Sequence, residues 1–326
     1  MSEISDIGSV RSLVETALKK GFTDVVLSPG SRNAPLIISF SAISDFNCIS
    51  VVDERTAAFM ALGMAQQTKK PVLLSCTSGS AMLNYSPALA EAYYQRIPLI
   101  AVTADRPAEW IDQGEGQSIR QANLLNGILI QSVNLVKERS GDDAWLNQRL
   151  INEAFNTALS TSRPVQINIP LSEPLYGTLP RTESKKRKPF TAFFGKPLLQ
   201  NEEQKTLNNI WSESDRILIL LGQHNAESGL LEQLKALNED PRIAVVTETT
   251  ANLYHFGFVS CVDRTLEGFL SKETEPTFIP DLLVTIGENL ISKKLKSLLR
   301  KHKNDINHHW HFGEDMMDTF QCLTHL

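Results

Sequence analysis

Apolar residues recur along this chain in two alternating rhythms, one of helical and one of strand spacing. Residues 7–20 place Val10, Leu13, Val14 and Leu18 on one helical stripe, and Gly21 follows as a stop. Asp24-Val25-Val26-Leu27 is a short apolar run of strand length, and Ser28-Pro29-Gly30-Ser31-Arg32-Asn33 is the polar loop after it. A second helix opens at Ala34-Pro35, where proline suits a first turn. Val51-Val52-Asp53-Glu54-Arg55 reads as a strand ending in an acid, and residues 56–65 continue with helical periodicity. The unit then repeats, with strands predicted at 71–76, 98–103 and 163–170 and helices at 82–96 and 147–160. Short apolar-rich strand runs alternating with helices predict an α/β fold built on a doubly wound, mainly parallel sheet.

A basic run, Lys185-Lys186-Arg187-Lys188, marks a composition break that reads as a solvated linker. Beyond it the alternation resumes, with strands predicted at 216–221, 243–247 and 281–286, two of them closed by Gly222 and Gly287. The expected organisation is therefore two doubly wound, mainly parallel-sheet domains, 1–180 and 191–326, joined by a linker over 181–190. The loop after Gly222 lacks the G-x-G-x-x-G spacing of a dinucleotide site. Leu290, Ile291, Leu295, Leu298 and Leu299 stripe a helix with a lysine-rich outer face. His309 and His311 flank Trp310 on one face of a strand, and with no further ligands to place there, a strand end is expected and no metal site.

With 326 residues the chain can bury two cores, and a net charge of −5 gives no bulk attraction for nucleic acid or an anionic membrane. Anionic ligands would have to be received by individual arginines. The first residues lack a signal-peptide pattern, and no apolar run reaches bilayer length. Four cysteines without metal-ligand spacing suit a reducing cytoplasm.

In a parallel sheet the loops that follow the strands lie on one edge, so Arg32, Glu54, Ser78 and Arg106 are expected to converge. Glu54 fits two roles: a proton-transfer group, or an acid complementing a helix dipole. The loop bearing Arg32 fits an anion receptor or a simple turn and cap. Two glycines flank Glu115, and Gln117 offers both donor and acceptor, as a ligand loop or a surface loop would.

Taken in order and spacing, Ser28-Pro29-Gly30-Ser31-Arg32, Asp53-Glu54-Arg55, Thr77-Ser78-Gly79-Ser80-Ala81, Thr103-Ala104-Asp105-Arg106-Pro107 and Gln117-Ser118-Ile119-Arg120-Gln121 resemble the pyrimidine-binding half of thiamine-diphosphate enzymes. The likeness is strongest to the branch serving menaquinone biosynthesis. Thr247-Glu248-Thr249-Thr250-Ala251-Asn252 and Ser292-Lys293-Lys294-Leu295 resemble that family's central domain.

The resemblance implies that Glu54 bonds the cofactor's pyrimidine nitrogen and takes part in proton transfer. By the same resemblance Pro29, Thr77, Ser78 and Gly79 line the cofactor, and Ser31, Arg32, Arg106 and Gln117 bind substrate. It implies thiamine diphosphate and Mg²⁺ as cofactors and the dicarboxylates 2-oxoglutarate and isochorismate as substrates of a C–C bond-forming transferase. It also implies a homodimer or tetramer formed through the first domain. The Gly-Asp-Gly motif of the family's diphosphate-binding domain is absent, Gly141-Asp142-Asp143 being the nearest run. The expectation is an N-terminal portion of a longer enzyme, without metal ligands of its own and inactive alone. Two alternatives stay open: a thiamine-diphosphate enzyme of the acetolactate-synthase or 2-oxoacid-decarboxylase type, and a non-catalytic two-domain relative.

Overall fold

The structure, a computed structural model, describes residues 2–181, 189–190, 192, 195, 198–225, 228–269 and 275–326. The chain forms two compact units, Met1–Gly195 and Lys196–Leu326. Most of the predicted linker, residues 182–188, lies outside the described residues.

In chain order the first unit contains β1 (Glu3–Ser5), α1 (Gly8–Lys19), β2 (Asp24–Leu27), α2 (Ala34–Ser41), β3 (Asn47–Ser50) and α3 (Glu54–Thr68). It continues with β4 (Val72–Cys76), α4 (Ser86–Gln95), β5 (Leu99–Asp105), β6 (Gln131–Asn134), α5 (Gly141–Thr161), β7 (Val165–Pro170) and β8 (Thr178–Pro180). Six strands form one parallel sheet in the order β3-β2-β4-β5-β7-β6. One face packs the apolar stripes of α1, α2 and α5, with Val10, Leu13, Leu36, Phe40 and Phe155 buried against it. The other packs α3 and α4 through small residues, Ala57, Ala58, Ala61, Ala88 and Ala92, which let both helices lie close to the strands. Burial on both faces is why β4 and β5 read as largely apolar runs. The chain start pairs antiparallel with the end of the unit, Glu3 facing Pro180.

The second unit contains α6 (Asn201–Glu213), β9 (Ile217–Leu221), α7 (Ser228–Leu237), β10 (Ile243–Thr247), α8 (Val262–Phe269), β11 (Leu282–Ile286), α9 (Lys293–Lys301) and β12 (His308–Phe312). Its four strands are parallel, in the order β10-β9-β11-β12. Both sheets are thus of the expected α/β, mainly parallel kind.

Several boundaries differ from those read in the pattern. The strand expected to run through Val51 and Val52 ends at Ser50, and Val52 is 78% exposed. Asp53 is instead the N-cap of α3, its carboxylate accepting from the Thr56 backbone N–H at 2.8 Å, so the chain leaves the sheet to present that cap. β5 runs two residues past the predicted end at 103, through Ala104 and Asp105, because β7 pairs with it as far as Pro170. The helix expected from Met82 begins as a 3₁₀ turn over Gly79–Tyr85. α5 starts six residues before the predicted Asn147: Ser140 and Asp143 form a reciprocal capping box that carries no hydrophobic signal. Gly141-Asp142-Asp143 is simply the first turn of that helix. Leu290 and Ile291 precede α9 and are not part of it. His309 and His311 lie on β12, both buried, and both contact the Thr285 hydroxyl, at 3.0 and 2.9 Å.

Candidate active site

Strand order reverses direction at β2, with β3 added on one side and β4 on the other, so the loops after β2 and β4 diverge across a crevice at the carboxyl edge. Those two loops touch. A Cβ built on Gly30 would lie 2.4 Å from Thr77 Cβ, so only glycine lets the Ser28–Asn33 turn pass the Thr77 side chain. The Asn33 side chain donates to the Ser28 carbonyl at 2.8 Å and closes the turn, leaving Pro29 and Ser31 exposed on its rim. Thr77 and Ser78 are buried, and Gly79 has φ +82°, beyond the comfortable range of a residue with a Cβ.

Glu54 occupies the first position of α3 and is half-buried. Among the described residues its carboxyl makes no hydrogen bond or ion pair, yet its charge reaches two fully buried groups. Burial pushes the Cys76 thiol upward; the Tyr85 hydroxyl opposes that and Glu54 adds to it. Burial likewise holds the Tyr85 phenol well above its ordinary range, with Cys76 and Glu54 contributing. Glu54 is thus near enough to a buried thiol and a buried phenol for its charge to act on them, and its half-buried carboxyl offers acceptor oxygens to a ligand.

Arg32 and Arg106 come together. Burial lowers the Arg32 guanidinium, and the nearby charge of Arg106 lowers it further, while Glu173 and Glu115 act in the opposite sense. Neither arginine presents an idle fork. Arg32 donates through one terminal nitrogen to the Leu171 carbonyl at 2.8 Å, and its other faces Glu173 at 3.3 Å. Arg106 donates to the Gly116 carbonyl at 2.9 Å and faces Glu115 at 3.5 Å. Both glutamates are more exposed than the arginines they face. Gln117 is exposed, with a left-handed backbone (φ +52°), and its carbonyl accepts from the Ser78 hydroxyl at 2.9 Å. That bond ties the loop after β5 to the loop after β4. Ser78, Gln117 and Arg106 are thus joined in one bonded group and Arg32 by charge, whereas Glu54 is linked to Cys76 and Tyr85 and to none of the arginines.

Behind these loops lies a buried amide network that the hydrophobic pattern does not predict. Gln121, Gln166 and Asn168 are each almost wholly excluded from solvent. Gln121 bonds the Ala104 carbonyl and Asn168, and Asn168 bonds Asp105. Burial raises the Asp105 carboxyl, which its bonds from Asn168 and the Arg106 N–H counteract. The sequence does carry a signal for it. Gln166 and Asn168 alternate with Val165, Ile167 and Ile169 in the strand predicted at 163–170, and in a parallel sheet covered on both faces such amides are buried and require partners.

Residues 9–124 match the family model described as the N-terminal TPP binding domain of thiamine pyrophosphate enzymes. The chain is similar to thiamine-diphosphate enzymes over that stretch, and over nearly its whole length it is similar to 2-succinyl-5-enolpyruvyl-6-hydroxy-3-cyclohexene-1-carboxylate synthases. It is 42% identical to that of Flavobacterium johnsoniae over 324 residues, covering 98% of this chain and 56% of the relative. It is 41% identical to that of Christiangramia forsetii over 341 residues, covering 98% and 58%, and 40% identical to that of Porphyromonas gingivalis over 328 residues, covering 99% and 56%. The chain spans about half the length of these curated relatives. A crystal structure of benzoylformate decarboxylase from Polynucleobacter necessarius superposes with a TM-score of 0.66 at 18% identity, over 94% of this chain and 56% of that one, which establishes likeness of fold. Among the described residues no helix is long and apolar enough to cross a membrane, and no group of three or more His, Cys, Asp or Glu is placed to hold a metal ion.

Proposed function

We propose that this chain supplies the pyrimidine-binding domain (1–180) and central domain (191–326) of a thiamine-diphosphate-dependent synthase of menaquinone biosynthesis. In this reading the enzyme decarboxylates 2-oxoglutarate and adds the four-carbon remainder to isochorismate. The observation that carries it is the Glu54 carboxyl, half-buried and making no hydrogen bond or ion pair among the described residues, at a helix start beside the switch point of the sheet.

The residues fit the pyrimidine end of the cofactor. Glu54 would bond the ring nitrogen N1′ through its carboxyl, which lies at the first position of α3 and within charge range of the buried Cys76 and Tyr85. Pro29, Thr77, Ser78 and Gly79 form the two touching loops beside it. Bound thiamine diphosphate would supply the acidic carbon and the electron sink. Ser31, Arg32, Arg106 and Gln117 would orient the substrates, the two arginines exchanging their contacts with Glu173 and Glu115 for substrate carboxylates. The diphosphate and Mg²⁺ contacts are assigned by the family resemblance to a separate domain, so the 326-residue chain alone is expected to bind the cofactor weakly and to be inactive.

Association through the first unit is supported by Val52, Phe59, Met60 and Leu83, large apolar residues left exposed on and around α3. The test is Glu54→Gln in the complete enzyme. Turnover is expected to fall by about a hundredfold to ten-thousandfold, with thermal stability unchanged. Wild-type turnover in the folded variant overturns the assignment of Glu54, and preference for pyruvate over 2-oxoglutarate as donor overturns that of the substrate.

A further inference from the structure

Resting on that function, we infer that Gln121 is a positioning residue whose buried amide holds Arg106 and Gln117 in register with the Ser78-Gly79 turn. The residues between Arg106 and Gln121 form no helix or strand longer than a single 3₁₀ turn, and most are exposed. Such a segment does not place a side chain by itself. It is fastened at three points. Arg106 donates to the Gly116 carbonyl, Ser78 donates to the Gln117 carbonyl, and the Gln121 amide anchors the end.

The third anchor is the one shut away from water, Gln121 being 0% exposed. Its amide nitrogen donates to the Ala104 carbonyl at 2.9 Å and to Asn168 Oδ1 at 2.7 Å, which uses both of its hydrogens. Its oxygen accepts from the Gly79 N–H at 3.2 Å, a group that opens a 3₁₀ turn and has no partner within it. Asn168 in turn donates to Asp105 Oδ2 at 2.8 Å, and Asp105 Oδ1 accepts from the Arg106 N–H at 2.8 Å. An unbroken hydrogen-bonded path therefore runs from the backbone of the cofactor loop to the backbone of the substrate arginine. A glutamine is the residue this site requires. Glutamate would face two acceptors with a charge, and methionine would fill the volume but leave the Gly79 N–H, the Ala104 carbonyl and Asn168 without their partner.

The test uses Gln121→Met and Gln121→Glu in the complete enzyme, with two readouts. Hydrogen exchange at the Gly79 and Arg106 amides is expected to quicken by at least about tenfold in Gln121→Met, while amides of α1 stay at wild-type rates. The KM for 2-oxoglutarate is expected to rise by about tenfold with kcat and its pH profile little changed. In an Arg106→Ala background the same substitution should add less than about twofold, because Gln121 acts through that arginine. Unchanged exchange at both amides, or a full KM effect without Arg106, would falsify the inference. An enzyme that does not use 2-oxoglutarate refutes the proposed function instead, and the exchange rates still decide the role of Gln121. If Gln121→Met does not fold, Asn168→Ser cuts the path one link further on. It must quicken exchange at Arg106 and spare Gly79, and an unaltered Arg106 amide overturns the inference equally.

Discussion

Replacing Gly30 by alanine tests the contact that brings the two loops of the crevice together. The new Cβ would lie 2.4 Å from Thr77 Cβ and 2.8 Å from both Thr77 Cγ2 and Oγ1. Carbon atoms pack comfortably at about 3.5–4.0 Å, so the loops must separate by about 1 Å. Neither can do so freely. The Ser28–Asn33 turn is closed by the Asn33 side chain, and Thr77 follows directly on β4, which is paired on both sides. Overpacking of this kind costs about 1–3 kcal/mol, which for a unit of this size lowers Tm by about 2–4 °C per kcal/mol. Urea unfolding of the 326-residue chain measures the loss. A second-site series separates the cause from its alternatives. Thr77→Ser removes Cγ2 but keeps the offending Cβ, so it should not rescue Gly30→Ala, whereas Thr77→Gly should recover most of the loss beyond its own cost. A Gly30→Ala protein within about 0.5 kcal/mol of wild type, or equal rescue by serine and glycine, refutes the reasoning. The same variant in the complete enzyme should lose activity, because both loops border the half-buried acid.

Arg106→Ala in the complete enzyme should lower kcat/KM for the dicarboxylates by about tenfold to a hundredfold, the worth of a charge-assisted contact; unaltered kcat/KM for both acids removes Arg106 from the site. In the second unit, burial lowers His309 from its ordinary 6.5 to about 4. Between those values the unfolded chain binds a proton that the folded chain refuses. Its stabilising effect is therefore fully present above pH 6.5 and is lost as pH falls toward 4, by up to about 3 kcal/mol. His309→Gln should flatten that part of the pH–stability curve, and an identical slope in the variant refutes the assignment. His302 slopes the other way. Bonds to Asp305 and Glu275 raise its pKa, so its contribution is present below 6.5 and fades as pH rises through the raised value. Urea midpoints of His302→Asn and wild type should converge at high pH; a gap that persists undiminished argues against this.

Where local pattern and burial agree, the elements were readable in advance. β2, β4, β9, β10 and β11 fall within a residue of the apolar runs at 24–27, 71–76, 216–221, 243–247 and 281–286, because a strand covered on both faces is mostly apolar and bears few polar side chains. The pattern misled where polar chemistry set the boundary. Asp53 ends a strand by capping a helix, and Ser140 with Asp143 starts a helix where no apolar stripe has begun. β6 escaped notice because Gln131, Ser132, Val133 and Asn134 form an edge strand with one buried side chain, short and mostly polar.

The sequence by itself determined the fold class and the identity of the polar and charged groups at the carboxyl edge, since strand-then-loop order alone puts Arg32, Glu54, Ser78 and Arg106 on one side of a parallel sheet. Tertiary structure alone decided what each of those groups touches. Arg32 is committed to Leu171 and Glu173, residues about 140 positions away in the chain, and Gln121 reaches Gly79 and Asn168 from opposite directions. The reason is physical. Periodicity records whether a side chain is turned toward water or toward a core, whereas the partner of a buried amide or guanidinium is fixed by which strands lie side by side, and that is settled only when the whole sheet has closed.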